Sequence, residues 1–172
     1  MKHWKGKLWF GLLMALAVLI FEQFSVQPVL YFGDVLTNEF QAKGAFYDPV
    51  KGHTGIDLGH DEGTPLSLSV PLRIVDITEQ QQMGKCVYAE DAWGNILVFA
   101  HLSEIFVTEG EVVKADQIFA ETGNTGSATT GPHLHFEVIS MQAEAGYEIM
   151  TRTLGRFSGY NIDPIAYWVA LP

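Results

Sequence analysis

Gly131-Pro132-His133-Leu134-His135-Phe136-Glu137-Val138-Ile139 is the stretch that decides the fold. Apolar Leu134 and Phe136 alternate with His133, His135 and Glu137, the period-two pattern of a strand with one face turned to a core. Residues i and i+2 of a strand share a face, so both imidazoles project into one space about 6–7 Å apart. Working outward, Asn95-Ile96-Leu97-Val98-Phe99-Ala100-His101 and Lys85-Cys86-Val87-Tyr88-Ala89 flank Glu90-Asp91-Ala92-Trp93-Gly94, which reads as a hairpin turn. Leu66 to Val70 alternates apolar and small polar residues, and Arg73 to Thr78 continues in β-branched ones. Val112 to Ala120 reads as a further strand pair with a tight turn. Short strands with turn residues between them imply an all-β fold, a small antiparallel sandwich or barrel. At the far end, Asn161-Ile162-Asp163-Pro164-Ile165-Ala166-Tyr167-Trp168 reads as a turn leading into an aromatic plug or short helix.

The N-terminus is of another kind. Met1-Lys2-His3-Trp4-Lys5-Gly6-Lys7 is basic, and Leu8 to Phe21 carries no polar side chain. A basic start before an apolar run is the pattern of a secretory signal. As a helix, Leu8 to Phe21 would cover about 21 Å at 1.5 Å per residue, short of the roughly 30 Å hydrocarbon core. Counting from Trp4 to Phe24, with Lys5 and Lys7 snorkelling, brings the segment close to spanning. Residues 1–24 are therefore expected to form a hydrophobic helix, either a signal anchor or a cleaved signal peptide. The lysines before it hold that end in the cytoplasm and place the remainder outside, membrane-anchored or secreted. Residues 25–45 read as a connector packing on the edge of a domain that occupies 46–172, with 141–160 as an unassigned insertion.

The chain has 172 residues, 48% of them hydrophobic and 17% charged, which excludes a disordered polyelectrolyte. Its formal charge is −10, and residues 23–172 alone carry −12. That balance argues against nucleic acid as a partner, which calls for a basic surface. One cysteine, Cys86, excludes an internal disulfide framework and a Cys-rich zinc module; it reads as a small buried apolar residue.

Histidine carries the chemistry. Besides His133 and His135, the window Gly52-His53-Thr54-Gly55-Ile56-Asp57 places an imidazole and a carboxylate four apart, with Gly55 letting them converge. Such a pair alone is weak evidence. Phe99-Ala100-His101-Leu102-Ser103 ends a strand on a single histidine, which alone is weaker still. Together they become informative, because catalytic zinc takes three protein ligands and keeps a fourth position open. His53, Asp57 and one of His133 or His135 supply three donors. The remaining strand histidine and His101 are then available to handle protons near neutral pH. The absence of an HExxH motif excludes a zincin-type protease.

These residues resemble the lysostaphin-like (LytM-type) zinc metallopeptidases. The likeness is carried by His53-Thr54-Gly55-Ile56-Asp57, Ala100-His101-Leu102-Ser103, Gly123-Asn124-Thr125-Gly126 and Gly131-Pro132-His133-Leu134-His135-Phe136-Glu137, with Asp163-Pro164 closing it. It implies that His53, Asp57 and His135 ligate one Zn²⁺ and that His101 and His133 form the catalytic pair. It also implies a peptidoglycan substrate, cleaved in stem peptides or cross-bridges and lying in a groove rimmed by Asn124, Thr125, Ser127, Thr129 and Thr130. One departure is Ala115-Asp116-Gln117, where the family usually has a glycine-containing turn. The alternative is a non-catalytic LytM-like module that activates other cell-wall hydrolases; such regulators characteristically lose ligands or catalytic histidines, and this chain keeps all five. Glu137 reads either as a carboxylate orienting a ligand histidine or as a solvated strand end. His60 reads as part of an exposed loop, and Tyr88 and Trp93 as packing residues.

Overall fold

The computed structural model describes residues 35–43, 52–140, 150–154 and 157–170. The expected helix over 1–24 lies outside them. Among the described residues, no helix is long and apolar enough to cross a membrane. The strands are β1 (Val35–Asn38), β2 (Ile56–Gly59), β3 (Pro65–Leu66), β4 (Leu72–Gln80), β5 (Gly84–Glu90), β6 (Ile96–Leu102), β7 (Glu104–Ile105), β8 (Val112–Val113), β9 (Ala120–Glu121), β10 (His133–Ser140), β11 (Met150–Leu154) and β12 (Phe157–Ile162), followed by one helix, α1 (Pro164–Ala170).

Among the described residues all pairings are antiparallel, and they form two sheets. The larger runs β1-β2-β10-β6-β5-β4-β8, and the smaller runs β3-β9-β7. β10 is an interior strand, paired along both edges. One edge pairs with β6 through His135↔Ala100 to Ile139↔Ile96. The other edge is shared: β2 covers its first half, with His135 opposite Asp57, and β12 covers its second half. The alternation expected from sequence is present. Leu134, Phe136 and Val138 are fully buried in a core with Phe99, Leu97 and Val87 from the same sheet and Leu66, Phe119 and Ala120 from the β3-β9 side. Each such side chain contributes about 1.5–3 kcal/mol when taken from water. This core therefore fixes β10 and so aims the alternate face, which carries His133, His135 and Glu137. On that same face lies a second buried cluster of Cys86, Tyr88, Val98, Ala100 and Ile139.

Several local expectations are corrected. The strand expected over Leu66–Val70 stops at Leu66, because loop 115–119 takes over the backbone bonds: Phe119 N–H donates to Leu66 O and Asp116 N–H to Leu68 O. Val112–Val113 and Ala120–Glu121 are strands but do not pair with each other; β8 joins β4, and β9 joins β3 and β7. Asp116 adopts φ +60° in its turn, a conformation Asp tolerates better than most residues. Trp93 stands 49% exposed on its hairpin turn rather than packed. Tyr88 and Cys86 are buried as expected, and His60 is half-buried. Val35–Asn38, within the expected connector, is the edge strand of the large sheet. Part of 141–160 forms the β11–β12 hairpin. Helix α1 starts at Pro164 behind Asp163, whose carboxylate accepts from Ile165 N–H at 2.9 Å, an N-cap followed by proline.

Candidate metal centre

His53 and Asp57, from the stretch that leads into and begins β2, meet His135 of β10 at one point. His135 is directly opposite Asp57 across the β2–β10 ladder. Gly55 allows that approach: a Cβ there would lie 2.1 Å from the Phe136 carbonyl oxygen. The three side chains offer donor atoms all within 4.8 Å of one another, and all three residues are buried. Asp57 Oδ1 lies 3.1 Å from His53 Nε2 and 2.9 Å from His135 Nδ1, and those two nitrogens are 3.0 Å apart.

The outer partners decide which ring nitrogens carry protons. His53 Nδ1–H donates to the Glu39 carbonyl at 2.9 Å, and His135 Nε2–H donates to Glu137 Oε1 at 2.8 Å. The inner nitrogens are thereby left with lone pairs aimed at a carboxylate oxygen. Three electron pairs converging within hydrogen-bond distance need a cation or a proton between them. In the metal-free protein the proton serves. Burial disfavours a charged His135, yet its bonds to Asp57 and Glu137 outweigh burial and hold its pKa up at about 9. Burial likewise acts to raise Asp57, and the bonds and charges of His135 and His53 override it, so its carboxyl stays far below the usual range. Two imidazoles and a carboxylate suit zinc, and donor separations near 3 Å approach the roughly 3.3 Å edge of a tetrahedron with bonds of about 2.0–2.1 Å. The residues present therefore fit the ion.

The other two expected histidines flank this triangle. His133 Nε2 lies 3.7 Å from Asp57 Oδ1, and its Nδ1–H donates to Gly131 O at 2.8 Å. His101 Nδ1–H donates to Thr125 O at 2.7 Å, and its ring centroid is 4.6 Å from that of His133. Burial pushes the His101 pKa down to about 4, against the hydrogen bond to Thr125. Simple alternation along β6 would turn His101 away from the site, since Phe99 is in the core and Ala100 is on the histidine face. The register instead skips: Lys85 faces Leu102 and Val87 faces Phe99, so β6 carries one extra residue. His101 takes φ +62° within this bulge, which re-aims its ring, as bulges beside functional sites do. All five residues expected from sequence are thus gathered at one place.

Reading the residues had left Glu137 open. It is fully buried, accepting from Thr54 Oγ1–H at 2.6 Å and Asn161 Nδ2–H at 3.0 Å as well as from His135. Asn161, Asn38 and the Glu39 carbonyl were not anticipated in these roles, because nothing local in the sequence marks them. Beside the triangle runs a groove of about 210 Å³ between β1 and the loop 128–133. Of the expected rim residues, Thr129 and Thr130 line it; Asn124, Thr125 and Ser127 do not. Thr125 serves His101 instead.

Fold and site together define an antiparallel β protein in which two neighbouring strands, with the segment leading into one of them, bring His53, Asp57 and His135 into a cluster that could hold a metal ion. Residues 51–146, more than half of the chain, match the model of Peptidase family M23, and the chain belongs to that family. It is 31% identical over 129 residues to Stage II sporulation protein Q of Bacillus subtilis (strain 168), covering 73% of this chain and 46% of that protein. It is 33% identical over 95 residues to the peptidoglycan DD-endopeptidase ShyB of Vibrio cholerae serotype O1, covering 53% of this chain and 22% of that one. The chain thus spans less than half the length of either relative. The catalytic domain of the antimicrobial peptidase lysostaphin from Staphylococcus simulans superposes with a TM-score of 0.64 over 80% of this chain and 93% of that domain; at 22% identity this is a likeness of fold.

Proposed function

We propose that this protein is a zinc-dependent endopeptidase that hydrolyses peptide bonds in peptidoglycan stem peptides or cross-bridges. The observation that carries the reading is the convergence of His53, Asp57 and His135 lone pairs beside two further histidines whose outer nitrogens are already committed. Membership of Peptidase family M23 and likeness to an endopeptidase of peptidoglycan support it. In this reading His53 Nε2, Asp57 Oδ1 and His135 Nδ1 hold one zinc ion. When bound, zinc supplies Lewis acidity, lowering the pKa of water and polarising the scissile carbonyl.

The chain's own residues do the rest. The Nδ1–H bonds of His133 and His101 leave Nε2 as the working nitrogen of each ring. With its pKa near 4, His101 is neutral at pH 7 and can accept a proton. His133, beside Asp57, passes protons and stabilises charge developing on the carbonyl oxygen. The groove between β1 and loop 128–133 receives the extended peptide. Residues 1–24 anchor the enzyme to the membrane with this domain outside the cytoplasm, or are removed on export; the basic flank and apolar run support that placement.

The test is digestion of purified peptidoglycan by the full chain, with and without chelator, and mass identification of the products. Metal-dependent release of cleaved muropeptides is the expected result. A metal-loaded protein that releases none from directly cross-linked or glycine-bridged walls would sink the reading and favour a non-catalytic activator of other cell-wall hydrolases.

A further inference from the structure

The two oxygens of Asp57 face different neighbours. Oδ1 meets the histidines, while Oδ2 accepts a hydrogen bond from Asn38 Nδ2 at 2.9 Å. A carboxylate only accepts, so the amide must present its nitrogen. Asn38 reaches this position through a bulge. Leu36 faces Leu58 but Asn38 faces Asp57, so β1 has one more residue than β2 between those pairs. The extra residue, Thr37, also turns to Asp57, donating from Oγ1 to its carbonyl at 3.1 Å. β1 thus grips the main chain and the side chain of one residue, and it precedes the segment matched by the family model.

We propose that Asn38 is a positioning residue: its amide keeps Asp57 Oδ2 out of the coordination shell, so that Asp57 ligates through Oδ1 alone. This rests on the zinc reading above. A carboxylate can bind a metal through one oxygen or both. With Oδ2 held by Asn38 the protein supplies three donors, and a tetrahedral ion keeps its fourth position for water or substrate. Freed, Oδ2 would add a fourth protein donor beside Oδ1 and, with the open position still taken by water or substrate, would raise the coordination number to five.

The test uses cobalt(II) in place of zinc in the full chain, read by visible absorption, which is intense for four-coordinate cobalt and weak at higher coordination. Wild type gives the intense spectrum, and Asn38→Leu lowers it severalfold as Oδ2 enters the shell. Thr37→Val, which loosens β1 without touching the carboxylate, leaves the spectrum unchanged. A wild-type spectrum in Asn38→Leu overturns the proposal while leaving the zinc peptidase reading intact, as wall digestion by the same preparation would verify. An equal change in Thr37→Val also overturns it, since the effect would then belong to β1 packing. Failure of the wild type to take up cobalt removes both readings.

Discussion

At the scale of single residues, the five side chains at the centre divide by what their loss should do. If the proposed zinc site is right, Asp57→Ala removes the carboxylate shared by His53 and His135, and the protein should no longer retain zinc by metal analysis. His133→Ala leaves the triangle intact; zinc should stay bound while cleavage falls by about 10²–10⁴-fold, the usual contribution of one proton-transfer group. Glu137→Gln keeps the shape but replaces the carboxylate that receives His135 Nε2–H. Metal affinity should weaken about 10–100-fold in a chelator competition, and unchanged affinity would show that Glu137 does not hold the ligand. The candidate donors were legible as a group because metal chemistry restricts residue type and strand geometry makes His133 and His135 share a face. Which of the two would ligate came only from the family resemblance. Asn38 and Asn161 were not legible, since an amide that bonds across the sheet leaves no local pattern in the chain.

At the scale of elements, the β10 ladder depends on close approach where no side chain fits. In Gly55→Ala the new methyl group would collide with the Phe136 carbonyl, which is backbone and cannot swing aside. Unfolding in urea should show a loss of more than about 2 kcal/mol, against a change within about 0.5 kcal/mol for Gly131→Ala, where the added atom meets open space. Equal stability of the two variants would mean that the ladder relaxes around the clash. The strands themselves were largely readable: β10 and the β5–β6 hairpin follow from alternation and turn residues. The bulge at His101 was not, because a period-two pattern assigns each residue a side and cannot register an inserted one. The short strands β3, β8 and β9 were misjudged for a related reason. Their two-residue ladders are set by which segments the core brings together, not by propensity within six or nine residues.

For the molecule as a whole, the titrating groups at the centre set how stability responds to pH once metal is removed. His135 has a folded pKa of about 9, above its ordinary value near 6.5, so its contribution is complete below 6.5 and is lost as pH rises through 9. His101 is depressed to about 4. The unfolded chain binds that proton first, so stability falls as pH drops from 6.5 toward 4. Thermal melts of the chelated protein should therefore peak near pH 6.5 and decline on both sides. A melting temperature flat from pH 4 to 9 would contradict this arrangement. Zinc should shift the curve upward wherever its ligands are unprotonated.

The contacts made by β1 and the residue after it also bear on how this protein can be dissected. The three proposed metal donors lie between positions 53 and 135, so a fragment cut to the 51–146 segment would retain all three. It would nevertheless lack the Glu39 carbonyl that fixes the His53 ring, the Asn38 amide on Asp57 and the Asn161 amide on Glu137. The smallest piece able to reproduce the native centre accordingly begins before Val35 and ends after Ile162. Activity lost on trimming inside those limits would report missing support, with the donor residues themselves untouched.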